Sequence, residues 1–158
     1  MTNVRISLAR ADDAPAIAEM SRRLIEAGLP WSWNESRVRH YVQHPECTVL
    51  TARDRRRLAG FAIMEFYDVH AHLSLLAVQP GYRKQGVGRL LLEWLESTAR
   101  TAGIFTVNLE LRASNEGALA FYRKLGYQEL GTRRAYYAGR EDALRMSRDL
   151  TVMPASRA

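Results

Sequence analysis

Leu76-Ala77-Val78-Gln79-Pro80-Gly81-Tyr82-Arg83-Lys84-Gln85-Gly86-Val87-Gly88-Arg89 joins the end of one apolar run to the start of another. Before it, Ala71 to Val78 reads as a strand. After it, Val87, Leu91, Trp94, Leu95, Thr98 and Ala102 fall on one helical stripe that closes at Gly103. A glycine-bearing turn between strand and helix directs backbone N–H groups and the positive end of a helix dipole at one spot, which favours an anion. Two phosphate-binding readings fail on chemistry. Gly81 and Gly86 have Walker spacing, but Val87 and Gly88 stand where a lysine and a magnesium-binding hydroxyl belong. A dinucleotide fingerprint would require glycine where Leu91 stands, and a central parallel strand early in the chain. What survives is Arg83-x-x-Gly86-x-Gly88.

On the amino-terminal side, Val4, Ile6 and Leu8 alternate as in a half-buried strand. Asp12 or Asp13 can cap a helix with Pro15 in its first turn and Ile17, Met20 and Leu24 on one face, stopping near Gly28. Ser32 and Glu35 have capping-box spacing for a second helix, which carries Val38, Tyr41 and Val42 and ends at Pro45. Cys47 to Arg53 and Leu58 to Tyr67 follow as strands, with Arg53, Arg55, Arg56 and Arg57 at the hairpin tip. On the carboxyl-terminal side, Ile104 to Arg112 is a strand with Phe105, Val107, Leu109 and Leu111 on one face and Thr106, Asn108 and Glu110 on the other. Ser114 opens a short helix that runs to Gly126, and strands near Tyr127 to Thr132 and Ala143 to Asp149 close the chain. Strand-helix-strand units demand parallel pairing and hairpins demand antiparallel pairing, so an α/β fold with a mixed sheet of about seven strands and about four helices is expected.

The 158 residues suit one domain, residues 1–150, with 151–158 as a tail. Charge is +6, from 23 Lys and Arg against 17 Asp and Glu, and Lys84 and Lys124 are the only lysines. With 47% hydrophobic and 25% charged residues, disorder and low-complexity repeats are excluded. No apolar run approaches the roughly 18 to 20 residues of a membrane span, and the amino terminus lacks the apolar core of a signal peptide. A cytoplasmic protein without a membrane partner is expected. Cys47, the single cysteine, excludes a disulfide framework and a cysteine metal site. His70 and His72 alternate on a strand but are two ligands where zinc needs three or four, so no metal is expected. Without a basic helix or an aromatic-interleaved basic stripe, nucleic acid is not an expected partner either.

Arg83-x-x-Gly86-x-Gly88 after Leu76-Ala77-Val78, with the order of elements around it, resembles the GNAT family of acyl-CoA-dependent N-acyltransferases. Asn115-Glu-Gly-Ala118-Leu-Ala-Phe121-Tyr122-Arg-Lys-Leu-Gly126-Tyr127 is similar to a second segment of that family, and the motifs cover about Leu73 to Leu150. The segments Glu110 to Asn115 and Thr132 to Tyr137, with Gly139 to Ala143, look most like the RimI-like branch, which acetylates the amino-terminal alanine of ribosomal protein S18. The resemblance implies the GNAT fold, with a splayed sheet, and acetyl-CoA as cosubstrate. It implies that the backbone from Arg83 through Lys84, Gln85, Gly86, Val87 and Gly88 to Arg89 holds the pyrophosphate, with Leu76, Ala77, Val78 and Asn115 in the same cofactor site. It also implies Glu110 as the base, usually through water, and Tyr122 as the acid.

These residue types suit amide formation from a thioester, which needs a free amine, a polarised carbonyl and a proton for the departing thiolate. An α-amine, with a pKa of about 7.7 to 8.0, is partly free at neutral pH, so a carboxylate suffices as base. A tyrosine with a reference pKa of about 10 remains protonated and can donate to sulfur. Trp31, Tyr136 and Tyr137 are candidates to line an acceptor slot. The expected partner is an amine, on a protein amino terminus or a small molecule, handled by a monomer or homodimer. A non-catalytic acyl-CoA sensor is the reading from outside the enzyme class.

Overall fold

The computed structural model describes residues 3–152. Its elements are β1 (Arg5–Leu8), α1 (Ala14–Leu24), α2 (Glu35–Gln43), β2 (Cys47–Asp54), β3 (Arg57–Phe66), β4 (Ala71–Val78), α3 (Val87–Thr101), β5 (Thr106–Arg112), α4 (Glu116–Lys124), β6 (Gln128–Tyr137) and β7 (Glu141–Asp149). One seven-stranded sheet has the order β1-β2-β3-β4-β5-β7-β6. Every neighbouring pair is antiparallel except β4 and β5, which α3 connects in parallel. The expected α/β architecture, mixed sheet and four helices are therefore present.

Two apolar layers cover the sheet. On one face Val87, Leu91, Leu92, Leu95 and Ala99 of α3 and Tyr122 of α4 pack on Leu50, Ala62, Met64, Val107, Leu109 and Met146. On the other, Ala14, Ile17, Ala18 and Met20 of α1 and Val38 of α2 pack on Val49, Phe61, Ile63, Leu75 and Ala77. The strict alternation of β3, with Ala62 and Met64 toward α3 and Phe61 and Ile63 toward α1, is what the pleat imposes on a strand buried on both sides.

Local differences from the sequence reading have physical causes. Asn34, not Ser32, caps α2 by accepting from the Arg37 N–H at 2.9 Å. Ser32 is held in the preceding loop, where its N–H and hydroxyl both donate to Glu26 Oε1 at 2.7 and 2.8 Å. Asn115, not Ser114, caps α4, because the Ser114 hydroxyl is donated to Glu141. β6 runs past Thr132 to Tyr137 because Glu141 of an earlier-starting β7 pairs with it. Phe105 is 43% exposed and precedes β5, while Val107, Leu109 and Leu111 are buried as expected. Of the expected tail, 153–158 lie outside the described residues; Thr151 still turns back to donate twice to Asp149 Oδ1. No helix among the described residues is long and apolar enough to cross a membrane.

Candidate active site

The functional geometry begins with one extra residue in β4. Leu73 faces Met64 and Leu75 faces Ile63, so Ser74 is a bulge without a partner on β3. A bulge bends its strand and reverses the alternation beyond it. Accordingly Ala71 and Leu73 join the α3 layer whereas Leu75 and Ala77 join the α1 layer. β4 pairs with β5 only at Ala71, His72 and Leu73, the residues before the bulge. After it, β4 follows β3 as far as Gly60↔Val78, while β5 follows β7 as far as Arg112↔Ala143. The two strands part, and a wedge opens between Ser74–Val78 and Glu110–Arg112.

The wedge is lined by backbone on the β4 side. The Gln79 N–H donates to Ala59 O at 2.7 Å. Because the pairs of an antiparallel ladder alternate, Ala77 directs its amide at Phe61, and Leu76 and Val78 turn theirs away from β3, into the wedge. The Val78 carbonyl accepts from Arg83 Nε at 3.2 Å, which ties the following loop to the strand end. In that loop Lys84 and Gly86 both have positive φ, 61° and 83°. Gly86 stands at the N-cap of α3 and supplies no side-chain cap, so the first-turn N–H groups at Val87, Gly88 and Arg89 have no acceptor within the helix. At Gly88 a Cβ would lie 3.2 Å from the Phe121 ring of α4, so glycine permits the helix pair to close. Gln85 Nε2 donates to Gly81 O, and Arg89 pairs with Glu93. Uncapped amides at a helix start beside an open strand edge fit a pyrophosphate and the thioester arm that extends from it. Asn115 uses its Oδ1 to cap α4 through Ala118 N at 3.0 Å, which leaves its side-chain NH₂ as the group it can offer.

Glu110 lies just past the last β4–β5 pair, on the face of β5 opposite Leu109 and Leu111. His72 Nε2 is 2.7 Å from its Oε1, and the Tyr136 hydroxyl approaches the same oxygen at 3.5 Å. The His72 hydrogen bond holds the Glu110 carboxyl below its ordinary range although burial pushes it up; Arg133 and Arg145 add to the lowering. Tyr122 belongs to the α3 layer, edge-on to Phe121 and Tyr127. Burial, with Tyr137 beside it, raises its phenol well above the ordinary tyrosine range, so it keeps its proton.

Above Glu110, α1 and α2 and the β6–β7 hairpin are tied together. Glu26 in the α1–α2 loop is buried and accepts from the Ser21 hydroxyl, from Ser32 and from the Trp33 N–H. Arg112 and Arg140 donate to the carbonyls of Ala27 and Gly28 in that loop at 2.6 and 3.1 Å. Tyr136 and Tyr137 stand edge-on to each other at 5.0 Å and share the electrostatic surroundings of Glu110. Trp31 is exposed with the Arg22 guanidinium 5.8 Å from its ring. Trp33 is core, under Arg37 at 3.8 Å and against Tyr41. His70 stacks on Tyr67, and no three His, Cys, Asp or Glu residues among those described converge as a metal site. The sequence reading missed His72 as the partner of Glu110. The usable signal was parity: on adjacent parallel strands both occupy the polar set of alternate positions.

A scan against protein families matches residues 18–127 to the Acetyltransferase (GNAT) family. The ribosomal protein bS18-alanine N-acetyltransferase of Salmonella typhimurium is 36% identical over 153 residues, covering 93% of this chain and 98% of that protein. The N-alpha-acetyltransferase RimI of Mycobacterium tuberculosis is 34% identical over 152 residues, covering 90% of each chain. The crystal structure of the ribosomal-protein-S18-alanine N-acetyltransferase from Escherichia coli superposes with a TM-score of 0.81 at 34% identity, over 98% of this chain and 99% of that one. With the wedge, the glycine loop and these matches together, the chain belongs to the GNAT family and is an acetyl-CoA-dependent N-acetyltransferase.

Proposed function

We propose that the acceptor is the α-amine of a protein amino terminus, alanine first among residues, with Glu110 as base and Tyr122 as acid. The support is the placement of Glu110 at the mouth of the wedge, beneath Tyr136 and a loop fastened by Arg112 and Arg140. Such a slot suits an extended chain end, whose backbone can pair with strand edges. The names of the relatives at 36% and 34% identity point the same way.

In this reading the amides of Val87, Gly88 and Arg89, with the loop from Arg83, hold the pyrophosphate, and Asn115 lends its side-chain NH₂ nearby. Acetyl-CoA supplies the thioester carbon that accepts the amine. The Leu76 and Val78 amides face the wedge and donate to the carbonyl oxygen as negative charge builds there. Glu110, kept ionised by His72, takes a proton from the amine, directly or through water. Tyr122, kept protonated by burial, gives its proton to the departing sulfur from the other face. Tyr136 and Tyr137 border the acceptor, and Trp31, exposed on the α1–α2 loop, is available to a longer peptide. The protein needs no metal for these steps and works as a monomer or homodimer in the cytoplasm.

Mass spectrometry of peptides incubated with the enzyme and acetyl-CoA tests the acceptor. An alanine-first peptide carrying an internal lysine is expected to gain one acetyl on its α-amine. Acetyl found only on lysine, or only on small amines such as polyamines, would overturn the amino-terminal reading.

A further inference from the structure

On the face of the sheet that carries Glu110, a line of hydrogen bonds leads away from the wedge. His72 lies opposite Glu65 on β3 and opposite Asn108 on β5, so Glu110 is its diagonal neighbour on the same face. His72 Nε2 is 2.7 Å from Glu110 Oε1, and its Nδ1 is 3.4 Å from Ser74 Oγ. The Ser74 hydroxyl donates to Glu65 Oε2 at 2.5 Å, and Tyr67 donates to Glu65 Oε1 at 3.1 Å. The bulge residue that opens the wedge is thus also a link in this line.

Both ring nitrogens of His72 are engaged. The Ser74 hydroxyl has one proton and gives it to Glu65, so it meets the imidazole with a lone pair. An ionised Glu110 also offers only lone pairs. The ring therefore bridges Glu110 at one nitrogen and the Ser74–Glu65 pair at the other. The charged groups around the ring are Glu65 from β3 and Glu110 from β5, with Arg145 of β7 and Arg133 of β6 acting on Glu110 from beyond it and the Tyr136 hydroxyl near the same oxygen. The direct contact and the serine-bridged one are both with carboxylates.

We propose that His72 is a positioning residue for acetyl transfer: held between Glu110 and the Ser74–Glu65 pair, its ring fixes the Glu110 carboxylate in place until the amine arrives. The proposal rests on Glu110 being the base. During transfer one N–H bond of the amine breaks and one O–H bond forms on Glu110, while His72 neither gains nor loses a proton. The role of Ser74 and Glu65 is to hold the ring edge-on to the wedge.

The chain has four histidines, so ¹⁵N-histidine labelling gives a spectrum that a single His72→Gln variant assigns. The His72 signals are expected to shift in Glu110→Gln and in Ser74→Ala, while those of His40, His44 and His70 stay in place. In kinetics, His72→Gln and His72→Leu should reduce kcat and leave the KM for acetyl-CoA unchanged. Below the limb set by the amine itself, the fall in kcat that follows protonation of Glu110 should begin at higher pH in both variants, further for Leu than for Gln, whose amide still donates one bond. His72 signals that ignore Glu110→Gln, or His72 variants that keep the wild-type acid fall in kcat, would overturn the proposal. Glu110→Gln separates the two readings. Full turnover in that variant defeats the base assignment itself, whereas lost turnover there beside unaffected His72 variants defeats only the role of His72.

Discussion

Glu110 and Tyr122 lie on opposite faces of the sheet, one on each side of the wedge between β4 and β5. Leu109 and Leu111 of β5 point into the layer that contains Tyr122, so pleating places Glu110 on the α1 and α2 side. The separation has a chemical use. A carboxylate and a phenol in contact would hydrogen-bond to each other; in the proposed mechanism the proton taken up by Glu110 and the proton given by Tyr122 enter and leave the wedge from different sides.

Cofactor binding is expected to depend on two glycines for different reasons. Gly86 has φ of 83° with open space where a Cβ would be, so Gly86→Val strains the backbone by roughly 1 to 2 kcal/mol and reshapes the loop. Gly88→Val drives a branched side chain into Phe121 and parts α3 from α4. Both should weaken acetyl-CoA binding, read as a smaller thermal shift at fixed ligand. An unmodified protein with no shift at millimolar acetyl-CoA would contradict the loop's assignment.

Tyr122→Phe retains the ring contacts with Phe121 and Tyr127 and removes only the hydroxyl. Turnover should fall by about 10² to 10⁴, with acetyl-CoA affinity kept. Pre-steady-state kinetics give the chemical step, and an unchanged rate for it would leave Tyr122 a packing residue.

For Glu110→Gln the sign follows from the direction of the shift. His72 lowers the Glu110 pKa, so the carboxylate is ionised throughout the neutral range and is lost as a base only under acid conditions. The wild-type rise in rate near neutrality therefore follows the amine, whose own pKa is about 7.7 to 8.0. The variant should lose most rate at the lower end of that range, where few amines are free and a base matters most. A pH–rate profile parallel to wild type would remove Glu110 from the mechanism. The same lowered pKa means that Glu110 adds stability above the ordinary carboxylate range, which disappears as pH falls through its folded value.

Much of this was legible in the sequence because it is local. The loop from Arg83 to Arg89 carries its conformation in its glycines, and the order of elements follows from periodicity. The polar parity of Thr106, Asn108 and Glu110 put the carboxylate on the correct face. What was illegible depends on pairing between distant residues. The unpartnered Ser74 is visible only once β3 is aligned with β4, and with it the line from Glu110 to Glu65. Ser32 and Ser114 were plausible caps until Glu26 and Glu141 claimed their hydroxyls. Nothing local in the sequence marks Glu26, Glu96 and Arg148, yet the fold buries all three.

The last of these groups yields a stability prediction independent of catalysis. Glu96 of α3 and Arg148 of β7 are 2% and 7% exposed; Arg148 Nη1 donates to Glu96 Oε1 at 2.8 Å, and the Tyr127 hydroxyl donates to Oε2 at 2.8 Å. Arg148 Nε is buried without a partner in the described structure, so the guanidinium relies on Glu96 for its compensation. Removing one member of such a pair costs about 3 to 5 kcal/mol, because the other charge stays in a low-dielectric site. Glu96→Leu should therefore lower stability by about that amount in chemical denaturation. Tyr127→Phe, which deletes one donor while Arg148 remains paired, should cost only about 1 kcal/mol. Replacing both charges, as Glu96→Leu with Arg148→Met, should recover most of the loss. The pair joins α3 to β7 behind the apolar layer, so protein that remains folded should bind acetyl-CoA as before. A single Glu96→Leu change costing less than about 1 kcal/mol, or a double variant no better than the single, would show that water reaches this pair and that the α3 layer alone holds the two elements together.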